Sequence, residues 1–204
     1  MSTTFKKPKL HGDSFNSFMN EFVNESDRAA VILGAAMVEN LLGQILDKFL
    51  LSSTSTTDDL LEGDAPLATF SAKIKACHRL GLVDVQFIKL LNVFRRLRNG
   101  FAHEVSAGSL TSGATRDRVA ALAAPFVDAR VFQSLANKIA DLSKREVNDA
   151  GVIFRAVLAV FHLELVRILG AVKPVTPTYS NGIVENCMAA IPPEDRVKPD
   201  AASE

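Results

Sequence analysis

Residues 38–51 read VENLLGQILDKFLL, and the spacing of their apolar side chains decides the fold class. Val38, Leu41, Leu42, Ile45, Leu46, Phe49 and Leu50 recur at i, i+3, i+4 and i+7, the signature of a helix with one buried face. Just upstream, Ala29, Ala30, Gly34, Ala35 and Ala36 are small enough to let a neighbouring helix approach closely. Asn24 and Ser26 are two candidate N-caps for this long helix, with Asp27 placed to complement its positive end. The helix is expected to run to about Leu51.

Outward from this stretch the same period recurs. A short amphipathic helix is expected over 14–23. A polar loop from Ser52 to Pro66 is followed by a helix over 67–80. Gly81 should stop that helix in a left-handed conformation, with Leu82 as the accompanying apolar contact. Asp84 then caps a helix carrying Phe87, Leu90, Leu91, Phe94 and Leu97 on one face. Glu104 to Ala114 is rich in glycine and serine and reads as a loop. Helices are expected over 115–124, 128–147 and 150–170. No alternating pattern suggests a sheet, so the fold class is all-α, a single bundle of about six to seven helices.

Residues 1–12, with Lys6, Lys7 and Lys9, read as a flexible arm, and 13–172 as one helical domain. Five of the eight prolines fall between Pro174 and Pro199, so 173–204 reads as a disordered tail. The N-terminus lacks the apolar stretch of a signal peptide. Val152–Leu169 is the most apolar segment, but Arg155, His162, Glu164 and Arg167 argue for a buried or interface helix rather than a membrane span. Cys77 and Cys187 lie far apart without CxxC spacing, which points to a reducing, cytoplasmic setting. His11, His78, His103 and His162 show no metal-ligand spacing, so neither metal nor other cofactor is expected. Cys77 reads as a small core residue.

Formal net charge is zero over 204 residues, so a polyanionic partner would have to be met by a local patch. One exists in the sequence. From Leu67 to His103 seven Lys/Arg stand against the single acid Asp84. Lys73, Lys75, Arg79, Arg95 and Arg96 are thus candidate phosphate contacts, unless they only solvate outward faces or pair with the acidic loop at 58–64. Phe87, Leu91, Phe94 and Arg98 share one side of their helix, so Arg98 leaves an apolar face where a guanidinium needs a partner. His103 follows five residues later, about 140° further round a straight helix. The two converge on one ligand only if the helix bends near Gly100 or two subunits contribute jointly. An imidazole and a guanidinium in one crevice suffice for metal-free RNA cleavage, the first moving the 2′-hydroxyl proton and the second neutralising the phosphoryl oxygens. Equally, both groups could anchor the helix end through hydrogen bonds.

Four segments, Glu25-Ser26-Asp27-Arg28-Ala29-Ala30, Ala65 to Ile74, Leu80-Gly81-Leu82 and Arg98-Asn99-Gly100-Phe101-Ala102-His103, resemble the mannitol operon repressor (MtlR-type) family in order and spacing, across roughly residues 15–145. The resemblance implies an all-helical, often dimeric bacterial regulator. Asp27 and Arg28, a pair at a helix start, are candidates either to be structural or to line the same cleft as Arg98 and His103. Arg98 to His103 also resembles the Arg-x4–6-His motif of HEPN domains, with Asn99 in the polar place after the arginine. Active HEPN proteins are metal-independent ribonucleases with a composite site at a dimer interface; many relatives are not catalytic. Val105 stands where active toxins carry tyrosine. The reading is a non-enzymatic cytoplasmic regulator, a homodimer acting through RNA or a partner protein, with an endoribonuclease using Arg98, His103 and Asn99 as the alternative. Cys77, Gly81 and Phe87 have offsets reminiscent of a helix-turn-helix, but only Gln86 and Lys89 lie near the start of the would-be recognition helix. Direct sequence-specific DNA binding is not expected.

Overall fold

The computed structural model describes residues 22–103, 109–111 and 113–176. Among these it contains six helices and no strand: α1 Asp27–Phe49, α2 Phe70–Arg79, α3 Val85–His103, α4 Gly113–Ala123, α5 Arg130–Ser143 and α6 Ala150–Ala171. The arm at 1–12 and the tail beyond 176 lie outside the described residues. So does the helix expected over 14–23, except Phe22 and Val23, which are helical and buried.

Of the two candidate caps, Ser26 is the one used: its hydroxyl accepts the Ala29 N–H at 3.2 Å. Gly81, with φ +72°, closes α2 as its sequence position requires. The Gly81 N–H donates to His78 O at 2.9 Å and the Leu82 N–H to Cys77 O at 2.8 Å, the paired bonds of a Schellman turn. Asp84 Oδ1 accepts from the N–H groups of Gln86 and Phe87 and starts α3.

Some boundaries differ from those the sequence suggests, each for a local reason. Helix α2 begins at Phe70 rather than Leu67 because the Thr69 hydroxyl caps it through the Ala72 N–H, at 3.2 Å. Helix α5 stops at Ser143, where Lys144 takes a left-handed φ of 54°. The Gly/Ser-rich loop is not wholly superficial: Leu110 is completely buried, and α4 starts at Gly113 inside the stretch read as loop.

Helix α1 packs against α2, α3 and α6, while α6 also packs against α4 and α5. Asp27 meets Arg155 at one end of the α1–α6 pair, and Lys48 Nζ donates to Leu169 O at the other, so the two helices run parallel. Beyond α6 the Val175 N–H donates to Phe49 O at 2.7 Å, tying the departing chain to the end of α1. By length and composition α1 is apolar enough to cross a bilayer, with mean hydropathy 1.7, and half of its most apolar window is buried inside the bundle. The core is centred on Phe94, whose ring lies 6.3, 5.9 and 6.0 Å from those of Phe70, Phe154 and Phe161.

The small-residue face of α1 is used as its composition suggests. A Cβ added at Gly34 would lie 2.6 Å from Leu158 Cδ1 and 2.9 Å from Cδ2. Leu158 is itself buried, so its methyl groups would have to shift within a packed interior, or the two helices part, to make room. Gly34→Ala should therefore destabilise the protein by about 1–2 kcal/mol, overpacking outweighing the gain in helix propensity. An unchanged urea midpoint would mean that Leu158 turns aside without cost.

Candidate functional site

Helix α3 carries both motif residues and runs unbroken through Gly100 to His103. The angular separation of about 140° between positions five apart therefore applies within one chain. Arg98 turns inward. Its Nη2 lies 3.7 Å from Glu39 Oε2 of α1, its Nη1 donates to Asn99 Oδ1 at 3.3 Å, and its guanidinium carbon sits 6.0 Å from the centre of the Phe70 ring. The partner that a charge on an apolar face demands is thus an acid and an aromatic face of the same chain. His103 is exposed in the last turn of α3 and makes no hydrogen bond with a described residue.

The five candidate phosphate contacts divide. Lys73 is drawn inward: its ammonium donates to Ala68 O at 2.8 Å and lies 3.7 Å from Glu39 Oε1, with its side chain only 13% exposed. Glu39 is therefore shared between Lys73 and Arg98. Lys75, Arg79 and Arg96 are exposed, on the two helices of the α2–α3 hairpin. Arg95 is half-buried, and its Nε is buried with no hydrogen-bond partner among the described residues. A further cation, one with no signal in the motif's spacing, also reaches this helix end. Arg118 of α4 lies over Gly100, its Nη1 3.7 Å from where a Cβ would stand.

Asp27 belongs elsewhere, to a buried ionic cluster at the start of α1. Its Oδ1 accepts from Arg145 Nη1 and Arg155 Nη1, each at 3.1 Å, and its Oδ2 from the Leu110 N–H at 3.3 Å. Arg155, 2% exposed, also donates to Phe22 O at 2.9 Å, to Gly151 O at 2.9 Å and to Glu25 O. Arg145 reaches Asp149 as well, at 2.9 Å. Gly151 leaves room for this: a Cβ there would lie 2.6 Å from Arg145 Nη1 and 2.7 Å from Asp27 Oδ1. Burial alone would raise the Asp27 pKa, but the bonds from Arg145, the Leu110 N–H and Arg155 outweigh it and hold the carboxyl below its ordinary value. A carboxylate so occupied is a structural anchor, not a free base. Arg28 is half-buried beside it in the chain.

From the sequence alone Arg155 stands out only as a charge interrupting an apolar segment. A permanent cation in the second turn of so apolar a helix was itself the signal that an acid must be brought to it.

Among the described residues no group of three or more His, Cys, Asp or Glu is placed to hold a metal ion. Cys77 is buried, its Sγ 3.9 Å from Leu42 O, and burial pushes its thiol up to about 12. Thiolate is then nearly absent at neutral pH, so Cys77 should resist iodoacetamide until the protein unfolds. Peptide mass mapping checks this, and alkylation of Cys77 in the native state would contradict it.

No family model matches the chain, and neither a curated protein nor a solved structure matches it.

Proposed function

We propose that this chain is a non-enzymatic, cytoplasmic regulator of gene expression, a HEPN-like homodimer acting through RNA or a partner protein. The observation that carries this reading is the commitment of Arg98. Its guanidinium lies beside Glu39, an acid it shares with Lys73, and its face lies against Phe70, so it has an internal role without any substrate. The exposed Lys75, Arg79 and Arg96 offer a polyanion a surface on the α2–α3 hairpin, and the likeness of four segments to mannitol operon repressors favours regulation over turnover. Binding carried by such cations weakens steeply with salt.

A second reading keeps the same residues as a metal-independent endoribonuclease. Exposure of His103 and the nearness of Arg118 to Gly100 favour it. In that case His103 of one copy would work with Arg98 of another, Asn99 positioning the guanidinium. One experiment separates the two. Labelled single-stranded RNA is incubated with the full chain in EDTA, beside His103→Ala and a Lys75→Glu/Arg79→Glu/Arg96→Glu variant. The regulator reading expects RNA to stay intact with wild type and His103→Ala alike, and binding to fall about tenfold or more in the charge-reversed variant. Cleavage in EDTA that His103→Ala abolishes would establish the enzyme instead.

A further inference from the structure

A cleft of about 700 Å³ opens between α3, the end of α4 and α6, apart from both sites above. Its walls are carbon: Phe87, Leu90 and Val93 from α3, Phe126 after α4, and Val160 from α6. The volume falls in the ~300–1,000 Å³ range of small-molecule sites, which are mostly apolar with a few placed polar groups. The walls are held in place. The rings of Phe87 and Phe126 both meet Phe161 edge-on, with centroids 5.0 and 6.4 Å away.

The rim carries Asp84, Gln86, Lys89 and Glu164. Both carboxylates are already engaged. Asp84 accepts the Gln86 and Phe87 N–H groups at 2.7 and 2.9 Å, and Glu164 holds Arg167 through two contacts of 2.8 and 2.6 Å. Lys89 is exposed and makes no ion pair with a described residue. Lys89 is therefore the rim charge left without a hydrogen bond or ion pair among the described residues, above an apolar floor.

We propose that this cleft binds a small amphipathic monocarboxylate. A flat aromatic or short aliphatic body lies among Phe87, Leu90, Val93 and Phe126, and the carboxylate meets the Lys89 ammonium, with the Gln86 amide as a second donor. Sugars and nucleotides are disfavoured, because the walls offer their hydroxyls no partners. A cationic head would face Lys89 directly. This inference does not depend on what Arg98 and His103 do.

Isothermal titration of the full chain with three probes that share one body tests it: indole-3-acetate, indole-3-acetamide and tryptamine. The acetate should bind one to one and roughly fivefold tighter than the amide, the scale of one exposed charge pair, with tryptamine weakest. Lys89→Met should erase the preference for acid over amide while leaving the amide's affinity unchanged. Ala121→Trp, which fills the cleft from an exposed lining position, should abolish binding of all three probes. The proposal is overturned if the acetate gives no binding heat at millimolar concentration, or if acid and amide bind equally. It is equally overturned if the preference survives Lys89→Met or if binding survives Ala121→Trp.

Discussion

Arg155→Met should cost about 3–5 kcal/mol of stability at neutral pH, the usual loss when one member of a buried ionic group is removed. Methionine fills similar space but donates nothing. The Phe22 and Glu25 carbonyls and one side of Asp27 would lose their donor in an interior where Arg155 itself is 2% exposed. Arg145 keeps Asp27 from being stranded, which sets the upper end of the range. The effect has a pH signature. The folded Asp27 pKa lies below its unfolded value, so the cluster's stabilisation is present above the ordinary carboxylate range near ~3.9 and is lost as pH falls through the folded value. Urea midpoints from pH 7 down to about 3 should therefore fall more steeply for wild type than for Arg155→Met. Parallel curves, or a loss at neutral pH below about 1 kcal/mol, would show that the cluster is replaceable. Limited proteolysis should also find the segment around 22–26 cut sooner in the variant.

Phe94→Ala should cost a similar amount, about 3–5 kcal/mol, by leaving a cavity among three aromatic rings. Phe94 is fully buried and joins α3 to Phe70 of α2 and to Phe154 and Phe161 of α6. Phe94→Leu keeps most of the volume and should lose less than about 1.5 kcal/mol. Denaturant midpoints of the two variants measure the difference. Near-equal midpoints would mean the core collapses around the gap. Because the Arg98 guanidinium lies against Phe70, the alanine variant should also loosen that arginine's hold on its face of the bundle.

What the sequence discloses about this molecule is mostly local. The 3.6-residue period of α1, the Ser26 cap, the Gly81 turn and the Asp84 cap are each contained within a few residues, and each stands in the structure where the chain suggests it. The details that matter to the candidate site are pairings between distant positions. Glu39 serving Lys73 and Arg98, Leu110 capping Asp27, and Arg118 over Gly100 follow from which helices become neighbours, and spacing along one helix does not report that. The need for such a partner was legible in the geometry of Arg98 on its helix; its identity was not. The same holds for Lys73, whose place among basic residues gave no sign of its inward turn.

The parallel course of α1 and α6 has a consequence for the making of the protein. Asp27 and Arg155 stand 128 residues apart in the chain. At ~5–20 residues per second, the ribosome supplies the second roughly 6–25 s after the first. For that interval one of the most apolar helices waits for the partner that covers its glycine face, with α2 and α3 as the earlier helices that pack on it among the described residues. The glycine face of α1 thus stays uncovered during synthesis until α6 has left the exit tunnel.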